Sequence, residues 1–500
     1  MAATPEGSNP SPRHLISGVL SGAGGWIVVS VLGALATHEM ALRYGASGYS
    51  IFVAALAFGS VIENFTDLGL FQVLQRDIAR DVSRASHLMG LVVGLRMTLS
   101  AIVVPIAAAI GFAIYRHHPF SLRLAIVFIL LALPLAAVQQ VILAYYSATV
   151  RIEMNAIIGV IKQVVFVVLV AVVIVDHFSV VYCVAATLAG SIVSTAVSIL
   201  WVRREIRLRF VVDLRVWRKM LAETTSVGLS SIIGIFYLNA DILLLSVLTS
   251  SRQLGYYGVA YAVISVFQVV PALLSRAILT KIVHTAEEKL SVIVNVVIVY
   301  YAIAGAFVAS LAVVSGSSVV RLYAGSHFNS AIFPLQILSC GQIFLFMSSG
   351  LSNISIARGY HRKLFQCGLI GFVLNVALNL AVIPHFGIRG SAAATTVCEV
   401  ILSLIMARIV RRDLKVTAHV IRASWKAIVA AAAPCVILWH WYGHSKETVL
   451  SGFTLMIPTA CLFMLVLLLL RGIPKELVSM VREYLPRNKG DRSGRPEEQD

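Results

Sequence analysis

Apolar runs long enough to cross a bilayer recur along almost the whole chain. A membrane-spanning helix needs about 20 mostly apolar residues, and only short polar breaks separate the runs here. With 59% of its residues hydrophobic and 13% charged, the chain is too apolar for a water-soluble globule. We predict an all-α polytopic membrane protein. Its fourteen predicted spans are 15–37, 48–70, 88–113, 121–146, 156–175, 179–202, 221–248, 255–283, 291–314, 331–358, 364–384, 390–410, 423–442 and 448–471.

The positive charges predict how these spans are oriented. Of the 40 Lys and Arg, 29 fall on one side of the predicted membrane, seven on the other and four within spans. Because positively charged loops stay in the cytoplasm, both termini are predicted to be cytoplasmic. The net charge of +17 is therefore mainly a topology signal that would also attract anionic lipid headgroups. It gives no reason to expect a nucleic acid as partner.

An internal repeat divides the predicted spans into two sets. Residues 175–204 align without a gap on residues 383–412 at a constant offset of 208, which places His177 on His385. Each unit contains six spans, and an even number returns the chain to the same side of the membrane. The two copies are therefore predicted to be parallel. Paired bundles of this kind suggest alternating access to a cavity between them.

The repeat and the charged segments together predict the domain organisation. A polar cytoplasmic N-terminus precedes two six-helix bundles, which a basic cytoplasmic linker joins. Two additional transmembrane helices and a cytoplasmic tail follow the second bundle. The boundaries are 1–14 for the N-terminus, 15–202 for the first bundle, 203–220 for the linker, 221–412 for the second bundle, 423–471 for the additional helices and 472–500 for the tail.

Three blocks of the sequence resemble a known family. Residues 43–81, 239–263 and 357–397 are similar to conserved blocks of polysaccharide transporters of the O-antigen flippase type, within the multidrug/oligosaccharidyl-lipid/polysaccharide exporter superfamily. The resemblance implies a V-shaped pair of helical bundles in the bacterial inner membrane. It also implies that the protein flips a polyprenyl-diphosphate-linked oligosaccharide from the inner to the outer leaflet. The sugar would cross in a polar lumen while the lipid tail stays in the bilayer.

The same resemblance implies which molecules the protein meets. These are the lipid-linked oligosaccharide, the surrounding membrane lipids, and polysaccharide polymerase or assembly proteins as candidate partners. No cofactor or metal is expected. The six cysteines lie in or beside apolar spans without histidines at metal-ligand spacing.

Three basic residues lie inside predicted spans and are candidate substrate-binding groups: Arg96, Lys162 and Arg276. A charge at the bilayer centre costs roughly 2.5–3.5 kcal/mol on insertion scales, so each one needs a reason. A diphosphate that leaves water must find compensating positive charge, which these side chains could supply in a lumen. The alternative is that their long stems reach back to the lipid headgroups.

Four carboxylates also lie inside the spans: Glu63, Asp67, Asp241 and Glu399. They are predicted either to pair with the intramembrane cations or to bind H⁺ or Na⁺ and couple its gradient to transport. Asn375 and Asn379, which lie four residues apart, are predicted to form hydrogen bonds between helices.

The segment from Asp67 to Asp81 changes abruptly from apolar to charged. Arg76, Arg80 and Arg84 are spaced four apart and are predicted to share one helical face. On the cytoplasmic side such a face favours an anchor at the lipid headgroups. The alternative is that Arg76 and Arg80 make the first contacts with the incoming diphosphate.

The sequence is also compatible with two other functions. A cation-coupled drug or small-molecule antiporter of the same superfamily is the nearest, because four basic and four acidic residues within the spans do not decide the charge of the substrate. A membrane glycosyltransferase or polymerase is the second, although no predicted outer loop is large. A nucleotide-driven pump is disfavoured because the chain contains no G-x-x-x-x-G-K-[ST] phosphate loop.

Overall fold

The computed structural model describes residues 12–206, 210–268, 270, 271, 275, 287–414, 418–442 and 449–472, and this part of the chain is α-helical with short connections. Within these ranges the helices are α1 (Pro12–Asp67), α2 (Leu70–Arg80), α3 (Ala85–Ile114), α4 (Phe120–Ala148), α5 (Ile152–Val175), α6 (Val180–Val202), α7 (Leu214–Leu248), α8 (Ser251–Phe267), α9 (Glu287–Ala324), α10 (Ile332–Ala357), α11 (His361–Leu414), α12 (Ala418–Tyr442) and α13 (Val449–Leu469).

The described helices carry the predicted membrane spans except that at 255–283, most of whose residues after Phe267 lie outside the described residues. Nine of the described helices are long and apolar enough to cross a bilayer, and α12 and α13 contain shorter apolar segments. Helices α1 and α11 each hold two predicted spans and bend at Gly45 and Gly387, whose φ angles are 62° and 56°. Glycine adopts this left-handed conformation without a steric penalty. Both bends fall in predicted outer loops, and the predicted all-α polytopic fold is confirmed.

The charged segment after Asp67 differs from its prediction. Helix α2 buries Leu70, Val73, Leu74 and Ile78 on one face, as an amphipathic surface helix does. It ends at Arg80, because Asp81 is extended and its carboxylate accepts a hydrogen bond from the backbone nitrogen of Ser83 at 3.1 Å. Arg84 therefore belongs to a separate 3₁₀ turn. The prediction that Arg76, Arg80 and Arg84 share one helical face is wrong.

The residues of the chain group into two compact units, within each of which most contacts are made. The first comprises Met1–Phe267, Val319–Leu338 and Leu364–Cys398. Its main core is rich in buried aromatic rings, among them Tyr49 and Phe166, which come from α1 and α5. This unit contains most of the charged residues that the sequence singles out.

The second unit comprises Gln268–Ser318, Ser339–Lys363 and Glu399–Asp500. In its core, Ala427 and Ala430 of α12 and Phe463 of α13 pack with Ala306 of α9 and Ile343 of α10. Small alanines allow helices to approach closely inside a membrane, where dispersion and not water drives packing. The last two helices are thus integral to this unit. The division into two six-span halves stays a prediction.

Candidate functional site

A cluster of four charged residues lies inside the first unit. Arg96 of α3 is 1% exposed, and its Nη1 atom lies 3.2 Å from the Oδ1 atom of Asp67, at the end of α1. Glu63 precedes Asp67 by one helical turn and interacts electrostatically with both Arg96 and Lys162 of α5. The packing of three helices therefore brings together two cations and two anions that the sequence identifies separately.

Asp67 is held by more than its ion pair. Its carboxylate also accepts hydrogen bonds from the backbone nitrogens of Gly69 and Phe71, both at 3.2 Å. These nitrogens lie at the start of α2, where backbone donors have no partner within the helix. Gly69 has a φ of 79°, and a Cβ atom there would lie 2.9 Å from the backbone nitrogen of Gly228 in α7. Asp67 therefore fixes a tight turn.

The guanidinium group of Arg96 is only partly satisfied. None of its three nitrogens makes a hydrogen bond of normal geometry to the described residues, although Nη1 lies close to Asp67. The two groups attract each other as charges, but the N–H bonds do not point at the carboxylate. Because Asp67 is anionic, removing it would leave a buried charge with one fewer partner.

A cavity of about 750 Å³ lies beside this cluster in the same unit. Residues of α1, α5, α6, α7, α8 and α9 line it, and Lys162 is the one charged side chain among those described. The rest of the lining combines aromatic rings, amides and hydroxyls with apolar groups. Representative members are Trp26, Phe166, Gln163, Asn239, Thr187 and Tyr323.

Lys162 differs from Arg96 in its surroundings. It reaches the cavity, whereas Arg96 is absent from the described lining. Within the described ranges its ammonium group makes neither a hydrogen bond nor an ion pair, and Glu63 acts on it only through space. A lysine ammonium has three donors. Those of Lys162 are available to an acceptor that enters the cavity.

Asp241 belongs to a second polar cluster, on α7. It is 3% exposed and accepts hydrogen bonds from the hydroxyl group of Tyr257 and from the backbone nitrogen of Ile242 at 2.9 Å. The Tyr257 hydroxyl also interacts with Ser391 of α11. No lysine or arginine in the described part of the chain forms an ion pair with Asp241. Among the described residues, this buried carboxylate therefore has no cationic side chain paired with it.

The polar contacts continue from Ser391 along α11. The Ser391 hydroxyl donates to the Oδ1 atom of Asn379 at 2.7 Å, and the Asn379 amide donates to the backbone oxygen of Asn375 at 2.9 Å. Ser391 and Asn379 lie on opposite sides of the bend at Gly387. Asn379 thus links the two parts of α11, and Asn375 accepts from Asn379 within the first part.

The remaining predicted site residues lie elsewhere. Arg76 forms an ion pair with its neighbour Asp77 at 2.9 Å, and Arg80 is exposed at the end of α2. Glu399 is buried in the second unit. Arg276 lies outside the described residues.

Three further polar residues belong to these sites although the sequence alone did not reveal them as candidates: Gln163, Asn239 and Tyr257. Each carries a polar group within a predicted span, which is the signal that could have revealed them. Within the described residues, no three His, Cys, Asp or Glu side chains are grouped so that they could hold a metal ion.

The arrangement of the helices is that of solved exporters. The chain matches the structure of the lipid II flippase MurJ in an inward closed conformation with a TM-score of 0.73 and 11% identity, over 92% of this chain and 99% of that one. An inward-facing multidrug resistance MATE family transporter of the MOP superfamily matches with a TM-score of 0.65 and 15% identity, over 78% and 96% of the two chains. This likeness shows the fold. The protein is a multi-pass membrane protein with the fold of these transporters.

The family follows from the sequence comparison. Residues 28–279, just over half of the chain, match the family model described as "Polysaccharide biosynthesis protein". The chain belongs to this family, which confirms the resemblance to polysaccharide transporters. A curated relative, the "Probable flippase AglR" of Haloferax volcanii, is 24% identical over 205 residues. That alignment covers 40% of this chain and 43% of the relative, so this chain spans less than half of the relative's length.

Proposed function

We propose that the protein flips a polyprenyl-diphosphate-linked oligosaccharide from the inner to the outer leaflet of the bacterial inner membrane. Membership of the polysaccharide biosynthesis family and the exporter fold support transport of a polysaccharide precursor. In this proposal both termini are cytoplasmic, and the substrate crosses by alternating access. The protein performs no covalent chemistry. Polysaccharide polymerase or assembly proteins would receive the product.

The observation that carries the proposal is the position of Lys162. It is the one charged side chain in the described lining of the cavity of about 750 Å³. In a low-dielectric lumen a lysine attracts an anionic diphosphate and repels a cationic drug, and both effects are stronger there than in water. This sign of charge favours the lipid-linked substrate over the drug antiporter, a choice that the sequence leaves open.

The uncharged lining suits the sugar part of the substrate. Aromatic rings offer flat apolar surfaces, and amides and hydroxyls offer hydrogen bonds without a charge that must be neutralised. Trp26, Gln163 and Asn239 are examples of these groups. The lipid tail would remain in the bilayer, where apolar chains need no protein lumen.

The other predicted cations take different roles in this proposal. Arg96 positions Asp67 and Glu63 by charge, because it pairs with Asp67 and lies outside the described lining of the cavity. Arg76 and Arg80 face away from the buried side of α2 and act at the cytoplasmic headgroup region. A role for Arg276 in diphosphate binding remains an expectation from the sequence.

Ion coupling is proposed to act through Asp241. Asp241 is buried and forms no ion pair with the described lysines and arginines, which favours a state in which H⁺ or Na⁺ neutralises it. Tyr257 and Ser391 supply neighbouring oxygen atoms from α8 and α11. Binding and release of the ion could therefore alter how α7, α8 and α11 pack. Glu399, buried in the second unit, is a further proposed coupling or pairing group.

A reconstituted system tests the proposed function directly. The purified protein is placed in liposomes that contain a labelled polyprenyl-diphosphate oligosaccharide, and the label that reaches the outer leaflet is measured over time. We expect protein-dependent flipping that exceeds flipping of a neutral lipid with the same tail. Export of cationic dyes without any flipping of the lipid-linked sugar would instead identify a drug antiporter.

A further inference from the structure

The charged cluster beside the cavity is electrically balanced. Arg96 and Lys162 contribute two positive charges, and Glu63 and Asp67 contribute two negative charges. Charges that share a low-dielectric site interact strongly, so a further anion at Lys162 must compete with the anions already present. The cluster therefore affects the affinity of the cavity for a phosphate group.

The two carboxylates are not equivalent in this competition. Asp67 is fixed by Arg96 and by two backbone nitrogens at the start of α2. Glu63 accepts one hydrogen bond, from the amide of Gln140 at 3.1 Å, and is only partly buried. Glu63 also follows Ser60 by three residues on α1, and Ser60 lines the cavity together with Lys162, whose positive charge Glu63 attracts. Glu63 is thus the less constrained of the two anions, and it lies one helical turn from a residue that lines the cavity.

We propose that Glu63 is a built-in competitor for the phosphate anion that binds Lys162. In the empty cavity Glu63 serves as the counter-charge of Lys162, and an entering phosphate or diphosphate takes over that role. The inference rests on the proposed function for the source of the anion, the diphosphate of a lipid-linked sugar. The same chemistry would also apply to free pyrophosphate.

This competition has a use in transport. A carrier must bind its substrate well enough to load it and weakly enough to release it on the other side. Lys162 alone would hold a diphosphate tightly in a low-dielectric lumen. With Glu63 nearby, Lys162 regains a counter-charge when the anion leaves, so release does not expose an uncompensated cation.

The test measures anion affinity in variants of the full-length protein in lipid nanodiscs. Pyrophosphate and sugar-free polyprenyl diphosphate are the two probes, and binding is followed by calorimetry. We expect Glu63→Gln to bind both probes roughly tenfold more tightly than the unmodified protein, because an opposing charge has been removed. Lys162→Gln and the double variant Glu63→Gln/Lys162→Gln should lose this binding.

A matched control separates this local effect from a change in total charge. Glu39→Gln removes the same charge from a carboxylate whose side chain is 60% exposed outside the cavity, and it should leave both affinities unchanged. Flipping by Glu63→Gln should be slower at saturating substrate although its binding is tighter. A purely structural defect in Glu63→Gln would weaken binding of the probes. Tighter binding by this variant therefore identifies competition between Glu63 and the anion.

The outcomes distinguish this inference from the proposed function. If the unmodified protein flips the lipid-linked sugar but Glu63→Gln binds no more tightly, the competitor role is overturned and the function stands. If Glu63→Gln tightens pyrophosphate binding while the lipid diphosphate neither binds nor flips, the competitor role stands and the function fails. If Glu63→Gln does not fold, Glu63→Asp is used: its shorter side chain retracts the charge and should give an intermediate gain in affinity. No gain there overturns the proposal.

Discussion

The Nη1 atom of Arg96 lies 3.2 Å from the carboxylate of Asp67, and the same carboxylate caps the first turn of α2. One anion therefore joins the buried side of α3 to the turn that ends α1. Arg96 was predicted as a diphosphate ligand, yet it is buried against its own counter-charge. Its removal should disturb the protein before it disturbs any substrate contact.

The first prediction concerns this ion pair. Arg96→Gln should lower the free energy of unfolding by about 3 kcal/mol, the lower end of the range for breaking a buried ion pair. The loss is at the lower end because Asp67 keeps its two backbone donors. The double variant Arg96→Gln/Asp67→Asn should recover part of that loss. Thermal unfolding in detergent measures the four members of the cycle. Strictly additive effects would show that the two side chains do not interact.

Transport by the Arg96 variants gives a second readout of the same site. Arg96→Lys should retain part of the flipping activity, because it preserves the charge beside Asp67 but loses the planar group. Arg96→Gln should lose most of it. Surface glycan restored in a deletion strain at equal protein level is the measurement. Full restoration by Arg96→Gln would exclude both a clamping and a positioning role.

The second prediction concerns Lys162. Lys162→Gln should reduce flipping of the lipid-linked sugar by about tenfold to hundredfold, which corresponds to the loss of a hydrogen bond to a charged group. Lys162→Arg should retain more activity because it preserves the charge. Lys426→Gln is the matched control, since that lysine lies in the second unit and donates to the backbone oxygen of Arg471. Equal losses at both lysines would contradict a specific role.

The third prediction concerns ion coupling at Asp241. Asp241→Asn should remove the dependence of flipping on an imposed H⁺ or Na⁺ gradient, because the neutral amide needs no cation. The fold should survive, since the amide oxygen can still accept from the backbone nitrogen of Ile242, and the amide nitrogen can donate to the hydroxyl oxygen of Tyr257. Tyr257→Phe leaves the carboxylate in place and should keep the gradient dependence. Flipping in liposomes with and without each gradient provides the measurement.

The fourth prediction concerns orientation. In a cysteine-free background, a membrane-impermeant thiol reagent added to intact cells should label Ser326→Cys and should not label Leu214→Cys. Both positions are exposed in the protein, so access depends on the side of the membrane. Labelling of Leu214→Cys under these conditions would reverse the predicted topology.

The fifth prediction compares two glycines. A Cβ atom at Gly255 of α8 would lie 1.9 Å from the backbone oxygen of Ala46, whereas one at Gly234 of α7 would meet nothing within 4 Å. Gly255→Ala should therefore destabilise the packing of α8 on α1. Gly234→Ala should be neutral or should stabilise by up to about 1 kcal/mol, the helix-propensity gain. Thermal unfolding of both variants decides the comparison, and equal shifts would contradict it.

The class of protein could be predicted from local sequence alone. An apolar stretch of about 20 residues satisfies its backbone in a membrane only as a helix, so runs such as 121–146 and 156–175 predict spans without knowledge of their neighbours. The family could also be recognised from the chain order of residue blocks. Sequence spacing extended α2 as far as Arg84, but the helix ends at Arg80, where the Asp81 side chain accepts a hydrogen bond from the backbone nitrogen of Ser83.

The site depended on tertiary structure. The sequence by itself determined that Glu63, Asp67, Arg96 and Lys162 are charges inside spans, because each interrupts an apolar run. Only the packing of α1, α3 and α5 decided that Arg96 lies against Asp67 and that Lys162 reaches the cavity. The physical reason is that membrane helices associate through close packing of their faces, and the rotation of each helix depends on all of its neighbours. The spacing of residues along one helix therefore cannot specify which charged side chain of another helix each of its own charged side chains will contact.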